Sequence, residues 1–146
     1  MDKTDVKILR ELVDDARLSY NEIARRVGIA VGTVATRVHN LEKKGVIKGY
    51  SAILNAEKIG YDVTAIIEMT ISKGKLIDVE SEVAKNVNVH GVYDVTGTSD
   101  AIVMARFKSR QDLSKFVKSL LSNEFVERTL THFVLGTVKE DLRVHI

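Results

Sequence analysis

Residues 19–45, SYNEIARRVGIAVGTVATRVHNLEKKG, contain two short helical patterns separated by a tight turn. Ser19 and Glu22 have the S-x-x-E spacing of a capping box, which begins a helix, and Gly28 can adopt the left-handed conformation that ends one. A further helix begins about three residues later and stops near Gly45; its apolar face carries Val34, Val38 and Leu41. Two helices joined by a glycine-containing turn predict a helix-turn-helix.

A helix over residues 4–15 precedes this pair, because apolar residues recur there with helical spacing: Val6, Ile8, Leu9, Leu12 and Val13. The last helix of the pair is therefore the third of the chain. At about 100° per residue, the side of it opposite the apolar face carries small and hydrogen-bonding residues: Gly32, Thr33, Thr36, His39, Asn40 and Lys43. Threonine methyls can contact thymine and asparagine can pair with adenine. Arg37 borders the apolar face, which suits a phosphate contact. These seven residues are the predicted DNA-binding site.

The distribution of charge agrees with this interpretation better than the total does. The net charge of +2 is too small to indicate a polyanionic partner. Within residues 17–48, however, seven lysines and arginines stand against two glutamates, and a local basic patch attracts phosphates. Charge alone leaves an ordinary solvated helix surface as the alternative.

The second half alternates between strand and helix patterns. Residues 63–71 are apolar at every second position, the period of a half-buried strand. Further patterns predict a helix over 76–87, strands at 93–96 and 101–107, a helix around 113–121 and a last strand over 129–138. The order β-α-β-β-α-β predicts a ferredoxin-like plan. The whole chain is therefore predicted to be α+β: a winged-helix-like helix-turn-helix domain over 1–50, a linker over 51–60 and a ferredoxin-like domain over 61–146.

The predicted sheet has one face without a cover, since both helices of such a plan lie on the other. Apolar residues nevertheless occur on both faces, as in Ile66 beside Ile67 and in Val103 between Ile102 and Met104. A monomer would expose a large apolar patch there, so we expect a homodimer formed by packing sheet on sheet. A dimer also supplies the paired helix-turn-helix units that paired half-sites on DNA require.

Several function classes are disfavoured. The chain has no cysteine, its four histidines form no ligand-spaced pair, and it contains no nucleotide-binding glycine motif and no paired carboxylates in a plausible pocket. We therefore expect no catalytic residues, no metal and no cofactor, and a protein that is not an enzyme. No apolar run approaches the roughly 18 residues of a membrane span, so we expect a cytoplasmic protein without a membrane partner.

Five stretches together resemble the Lrp/AsnC, or leucine-responsive regulatory protein, family of transcription regulators: DVKILRELVDDAR, SYNEIARRVGI, TVATRVHNLEKKGVIKGYSAILN, GVYDVTGTSDAIVMARF and VERTLTHFVL. The resemblance extends from Asp5 to about Lys139. It implies sequence-specific binding to double-stranded DNA, dimers that assemble further, often to octamers, and a small effector, usually an amino acid, bound between dimers. Two positions depart from the family pattern: Ala30 replaces the usual Ser or Thr cap of the third helix, and Thr36 stands where an arginine often precedes Arg37.

The resemblance places the effector site at the loop Gly97, Thr98, Ser99 and Asp100. Glycine lets backbone N–H groups approach a carboxylate, and Asp100 can accept an ammonium group. Thr129 and Thr131, two apart on the last strand, can add hydroxyls from one face. The alternative is that the loop is only a tight turn. For the whole protein, the alternative to a specific regulator is an architectural protein that coats DNA with little sequence preference.

Overall fold

The computed structural model describes residues 1–146. Its contacts divide the chain into two compact units. The N-terminal unit comprises residues 1–53 together with 139–146, and the C-terminal unit comprises residues 54–138. Residues 139–146, expected in the second domain, have their contacts in the first unit: Arg143 Nη1 donates to the carbonyl of Val13, 3.4 Å away, and Arg10 Nε donates to that of Ile146.

The N-terminal unit contains three helices, α1 (Lys3–Asp14), α2 (Tyr20–Val27) and α3 (Val31–Lys43). Ser19 caps α2, since its Oγ accepts from the N–H of Glu22 at 3.2 Å, and Gly28 ends it with φ 77°. Both features were predicted. Ala30 occupies the N-cap of α3 without a side-chain hydrogen bond. Its departure from the family pattern therefore leaves the first turn of α3 without a side-chain cap.

Six residues from all three helices form the core of this unit: Ile8, Leu12, Ile23, Ala24, Val34 and Val38. Residues 46–50, which follow α3, form no strand. Instead, Gly45 adopts φ 69°, and the N–H groups of Val46 and Ile47 both donate to the carbonyl of Leu41. These hydrogen bonds close the end of α3 and so define where the helix stops.

The C-terminal unit is a four-stranded antiparallel sheet with two helices, preceded by a short 3-10 turn at Glu57–Ile59. Its elements are β1 (Val63–Ile71), α4 (Leu76–Val83), β2 (Val89–Asp94), β3 (Ala101–Phe107), α5 (Arg110–Leu121) and β4 (Val126–Phe133). The strands lie in the order β2-β3-β1-β4. This is the predicted α+β, ferredoxin-like arrangement. None of the helices combines the length and apolar character that a membrane span requires.

Three element boundaries differ from those predicted. Helix α4 ends at Val83 rather than at residue 87, because the chain turns through hydrogen bonds from Asn86 N to Val83 O and from Val89 N to Asn86 O. Strand β2 begins four residues early, at Val89, and a register shift before Gly91 hides its alternation. Strand β4 covers 126–133 rather than 129–138, because it is an edge strand whose residues after Val126 are largely exposed.

The two faces of the sheet differ in their cover. Side chains at alternate positions of β1 and β3 join residues of α4 and α5 in one core, which includes Ile67, Met69, Val103, Phe107 and Phe116. The residues between them form the opposite face, which we call the open face: Ile66, Glu68, Ile102, Met104, Tyr93 and Leu130. No element of the C-terminal unit covers it, and Tyr93 and Leu130 are 46% and 43% exposed.

Candidate DNA-binding and effector-binding sites

The solvent face of α3 consists of the residues that the sequence analysis assigned to DNA contact. Six of the seven are exposed: Gly32, Thr33, Thr36, His39, Asn40 and Lys43. The three apolar positions Val34, Val38 and Leu41 are buried on the other side. Thr36 Oγ1 donates to the carbonyl of Gly32 at 3.0 Å, so its hydroxyl proton is used within the helix. The structure therefore presents a small, polar helix face that can approach base edges.

Arg37 is the exception, since carboxylates already hold it. Its Nη1 lies 2.7 Å from Asp2 Oδ2 and 2.8 Å from Asp5 Oδ1, and its side chain is only 30% exposed. The pKa of Asp2 is held below its ordinary value by the backbone N–H of Asp5 and then by Arg37, and that of Asp5 by the N–H of Asp2 and then by Arg37. The predicted free phosphate contact is thus an ion-paired group in this structure.

Sequence reasoning missed these partners because they precede Arg37 by more than thirty residues. The signal that could have found them is the D-x-x-D spacing at the start of α1. Asp2 and Asp5 form a capping box there, in which each carboxylate accepts from the other's backbone N–H. One oxygen of each is thereby used at the helix end, and the other is left for a cation.

Ion pairs also reduce the basic patch that the sequence predicted. Arg25 and Arg26 both pair with Glu22, whose pKa they lower to about 2, and Arg26 reaches Glu11 as well, at 2.9 Å. The basic side chains of residues 17–48 that remain exposed without an ion pair are Arg17, Lys43, Lys44 and Lys48. Positive charge available to phosphates therefore lies mainly at the C-terminal end of α3.

A cavity of about 740 Å³ lies between the start of α1 and α3. Asp2 and Asp5 line it from α1, and Gly32, Thr36 and Asn40 line it together with Arg37 from α3. The acidic start of α1 therefore borders the predicted DNA-binding face directly.

The predicted effector loop is tied to β1. Gly97 adopts φ 128°, a conformation that favours glycine. Ser99 Oγ donates to Glu68 Oε2 at 2.6 Å, and Asp100 Oδ2 accepts from the N–H of Ile71 at 2.8 Å. The Asp100 carboxylate therefore already accepts from the backbone of β1 through one oxygen, and its other oxygen can accept from an ammonium group.

Thr129 and Thr131 do not join the loop in one pocket of a single chain. They pair with Met69 and Ile67, whose side chains lie on the helix-covered face of the sheet. Ser99 instead bonds Glu68, on the open face. Neither the cavity beside α3 nor a second one of about 420 Å³ in the C-terminal unit contains any of the six predicted effector residues.

The open face contains a polar cluster that the sequence analysis did not identify. His132 Nε2 lies 2.9 Å from Glu68 Oε1, while Ser99 bonds the other carboxylate oxygen. These contacts, Ser99 first, lower the pKa of Glu68. The available signal was a lone charged residue within the apolar run IIEMTI. The sequence had left His132 without a role because it forms no metal-spaced pair.

Comparison with known protein families divides the chain in the same order. Residues 1–48 match the family described as winged helix-turn-helix DNA-binding, and residues 64–144 match the Lrp/AsnC ligand-binding domain. An HTH-type transcriptional regulator of Pyrococcus furiosus is 49% identical over 144 residues, covering 99% of this chain and 97% of its own. The HTH-type transcriptional regulator FL11 of Pyrococcus horikoshii is 35% identical over 146 residues, covering 100% and 97%.

Solved protein structures are also similar to this chain over nearly its whole length. A transcriptional regulator of Neisseria meningitidis in complex with L-Met has a TM-score of 0.89 and 31% identity, covering 99% of this chain and 96% of that one. LrpC of Bacillus subtilis has a TM-score of 0.84 and 25% identity, with 97% and 99% coverage. Three of these four relatives are described as transcriptional regulators.

Proposed function

This chain belongs to the Lrp/AsnC family of helix-turn-helix transcription regulators with a small-molecule effector domain, and from that premise we propose how its residues divide the work. The exposed face of α3 reads DNA, the open face of the sheet holds a dimer, and the loop Gly97–Asp100 helps to bind an amino acid where chains meet. The observation that carries the proposal is the exposed face of α3. At the start of the helix this face has only small or polar side chains, and at the end it is rich in lysine.

Direct readout is assigned to the exposed face of α3. Asn40 and Thr33 are exposed and Gly32 adds no side chain, so base edges can come close to the helix. Lys43, Lys44 and Lys48 supply unpaired positive charge for phosphates on both sides of the groove. Arg37 is assigned to phosphate contact only when it is released from Asp2 and Asp5.

Asn40→Ala and Lys43→Ala are expected to weaken DNA binding in different ways. Loss of a base contact lowers the preference for the operator over random DNA by about 1–3 kcal/mol. Loss of a phosphate contact weakens binding to operator and to random DNA by a similar factor. It also lowers the slope of log affinity against log salt concentration by about one. The measurement is binding to operator and random DNA across a salt series, with Lys118→Ala on α5 as the control. If Asn40→Ala weakened both DNAs equally, α3 would not read bases through Asn40, and a wild-type operator preference near one would favour the architectural coating role.

The effector site is proposed to be shared between chains, because its predicted residues lie on opposite faces of one sheet. The Gly97 loop can donate backbone N–H groups to a carboxylate, and the free oxygen of Asp100 can accept an ammonium group. The Neisseria regulator crystallised with L-Met supports an amino acid as the class of effector. The open-face dimer is proposed to assemble further, to an octamer as in many members of the family, in the cytoplasm.

An amino acid that binds the assembled protein is expected to raise its melting temperature by mass action. The variant for this test is Asp100→Asn. It can keep the acceptor for Ile71 N while removing the charge that attracts an ammonium group, whereas Asp100→Ala would leave that N–H unsatisfied. A thermal-shift screen of the twenty amino acids on wild type and Asp100→Asn is the measurement, and the exposed Asp62→Asn is the control. A shift of the same size in Asp100→Asn would move the effector elsewhere, and no shift at millimolar concentrations would leave the loop as a turn.

A further inference from the structure

We infer that Asp2 and Asp5 act as internal competitors of DNA phosphate for Arg37 and so set the DNA affinity of α3. The inference rests on the proposed DNA binding through α3. The supporting observation is that Arg37 Nη1 lies between two carboxylates, 2.7 Å from Asp2 Oδ2 and 2.8 Å from Asp5 Oδ1. Gly32 and Asn40 line the same cavity.

The contact between Arg37 and the two carboxylates uses the same chemistry as a contact between arginine and phosphate. A guanidinium binds carboxylate and phosphate oxygens with the same fork of N–H donors. Arg37 lies next to Thr36 on the border of the predicted recognition face, where a DNA backbone would pass. The two aspartates therefore occupy the ligand position that a phosphate would take.

The arrangement carries a net charge of −1, since two carboxylates face one guanidinium. The two carboxylates thus cancel the positive charge that Arg37 would otherwise offer to DNA at this edge of α3, until Arg37 exchanges partners. The exchange is open to solvent: the Asp2 side chain is 56% exposed and that of Arg37 30%. An ion pair at that exposure is weak and screened by salt, so the polyanion can displace Asp2, whereas the Asp5 side chain, 15% exposed, holds Arg37 more firmly.

Asp2 and Asp5 are held beside α3 because they also cap the start of α1. Asp2 Oδ1 accepts from the N–H groups of Thr4 and Asp5, and Asp5 Oδ2 accepts from the N–H of Asp2. The remaining oxygen of each carboxylate is the one that reaches Arg37. One pair of residues thus both begins α1 and holds the arginine of α3.

The division of oxygens provides the test. In Asp2→Asn, Asp5→Asn, the amide oxygens can keep both caps, because asparagine caps helices as well as aspartate, while the amide nitrogens face Arg37 and end the ion pairs. We expect this variant to bind operator and random DNA about five- to tenfold more tightly at low salt, with a salt slope steeper by about one. Asp14→Asn, Asp15→Asn removes two charges from the other end of α1 and is the control.

Arg37→Gln in both backgrounds identifies the group responsible. In wild type it is expected to weaken binding by a smaller factor than in the double-asparagine variant, where it removes the gain, because in wild type the exchange with Asp2 and Asp5 offsets part of the phosphate contact. Helical circular dichroism on melting checks folding, and the single Asp2→Asn, with one carboxylate left, replaces the double variant if that does not fold. Unchanged affinity, or a gain that survives Arg37→Gln, overturns the inference and makes the cluster a structural tie between α1 and α3. Absence of DNA binding by wild type would instead refute the proposed function itself.

Discussion

Ile66→Glu is expected to convert the dimer to monomers and to weaken operator binding at least about a hundredfold. Ile66 lies on the open face of β1, opposite Met104 of β3, in the apolar centre of the surface proposed to pack against a second copy. A carboxylate placed there would lose its hydration in the dimer, and the side chain opposite it on β4, His132, is already paired with Glu68, so the change is expected to be strongly destabilising. Two linked DNA-binding units gain about 10²–10⁴ in affinity over one, and the monomer loses that gain.

The control is Ile77→Glu on α4, which introduces the same charge at a position that is 77% exposed. Sedimentation at micromolar concentration measures the assembly, and binding to an operator with two half-sites and to one with a single half-site measures the linkage. Ile66→Glu should bind the two DNAs almost equally. A variant that sediments as a dimer would show that the chains associate through another surface.

Ile23→Ala is expected to unfold the N-terminal unit and abolish DNA binding while the C-terminal unit stays dimeric. Ile23 is fully buried in a small core, a cluster of six buried residues with four partly buried apolar residues packed against it. Leu- or Ile-to-Ala changes in cores cost about 2 to 5 kcal/mol, a large part of the stability of so small a unit. Helical circular dichroism should show an early transition, sedimentation an unchanged dimer, and DNA binding a complete loss.

Val31→Ala tests whether burial is the cause, because Val31 is 44% exposed at the start of α3. It should leave both the melting profile and the DNA affinity close to those of wild type. If Ile23→Ala dissociated the dimer as well, the two units would not be independent in stability.

The features that sequence could predict are those fixed by neighbouring residues. The spacing of Ser19, Glu22 and Gly28 placed α2, and strict alternation placed β1, because caps and pleats are local. The start of strand β2 was predicted at the wrong residue, because the register shift before Gly91 breaks the alternation on which strand prediction depends. Strand β4 was displaced because an edge strand tolerates polar residues such as Glu127 on both faces.

Side-chain partners distant in sequence were beyond the same reasoning. The apolar border position of Arg37 indicated an accessible arginine, and nothing near it in sequence revealed Asp2 or Asp5. Likewise, Thr129 and Thr131 were grouped with the Gly97 loop because of the family resemblance. Strand register, which no local pattern fixes, put them on the helix-covered face.

The return of residues 139–146 to the N-terminal unit makes the sensor an insertion within the DNA-binding unit. Two covalent connections therefore join them, one entering β1 and one leaving β4. These strands are neighbours, and Val134 N still bonds Thr64 O at 2.9 Å, so both connections leave the sheet side by side. A fusion partner attached after Ile146 would be joined to the DNA-binding unit rather than to the C-terminal unit. Affinity tags for DNA-binding measurements are therefore better placed elsewhere.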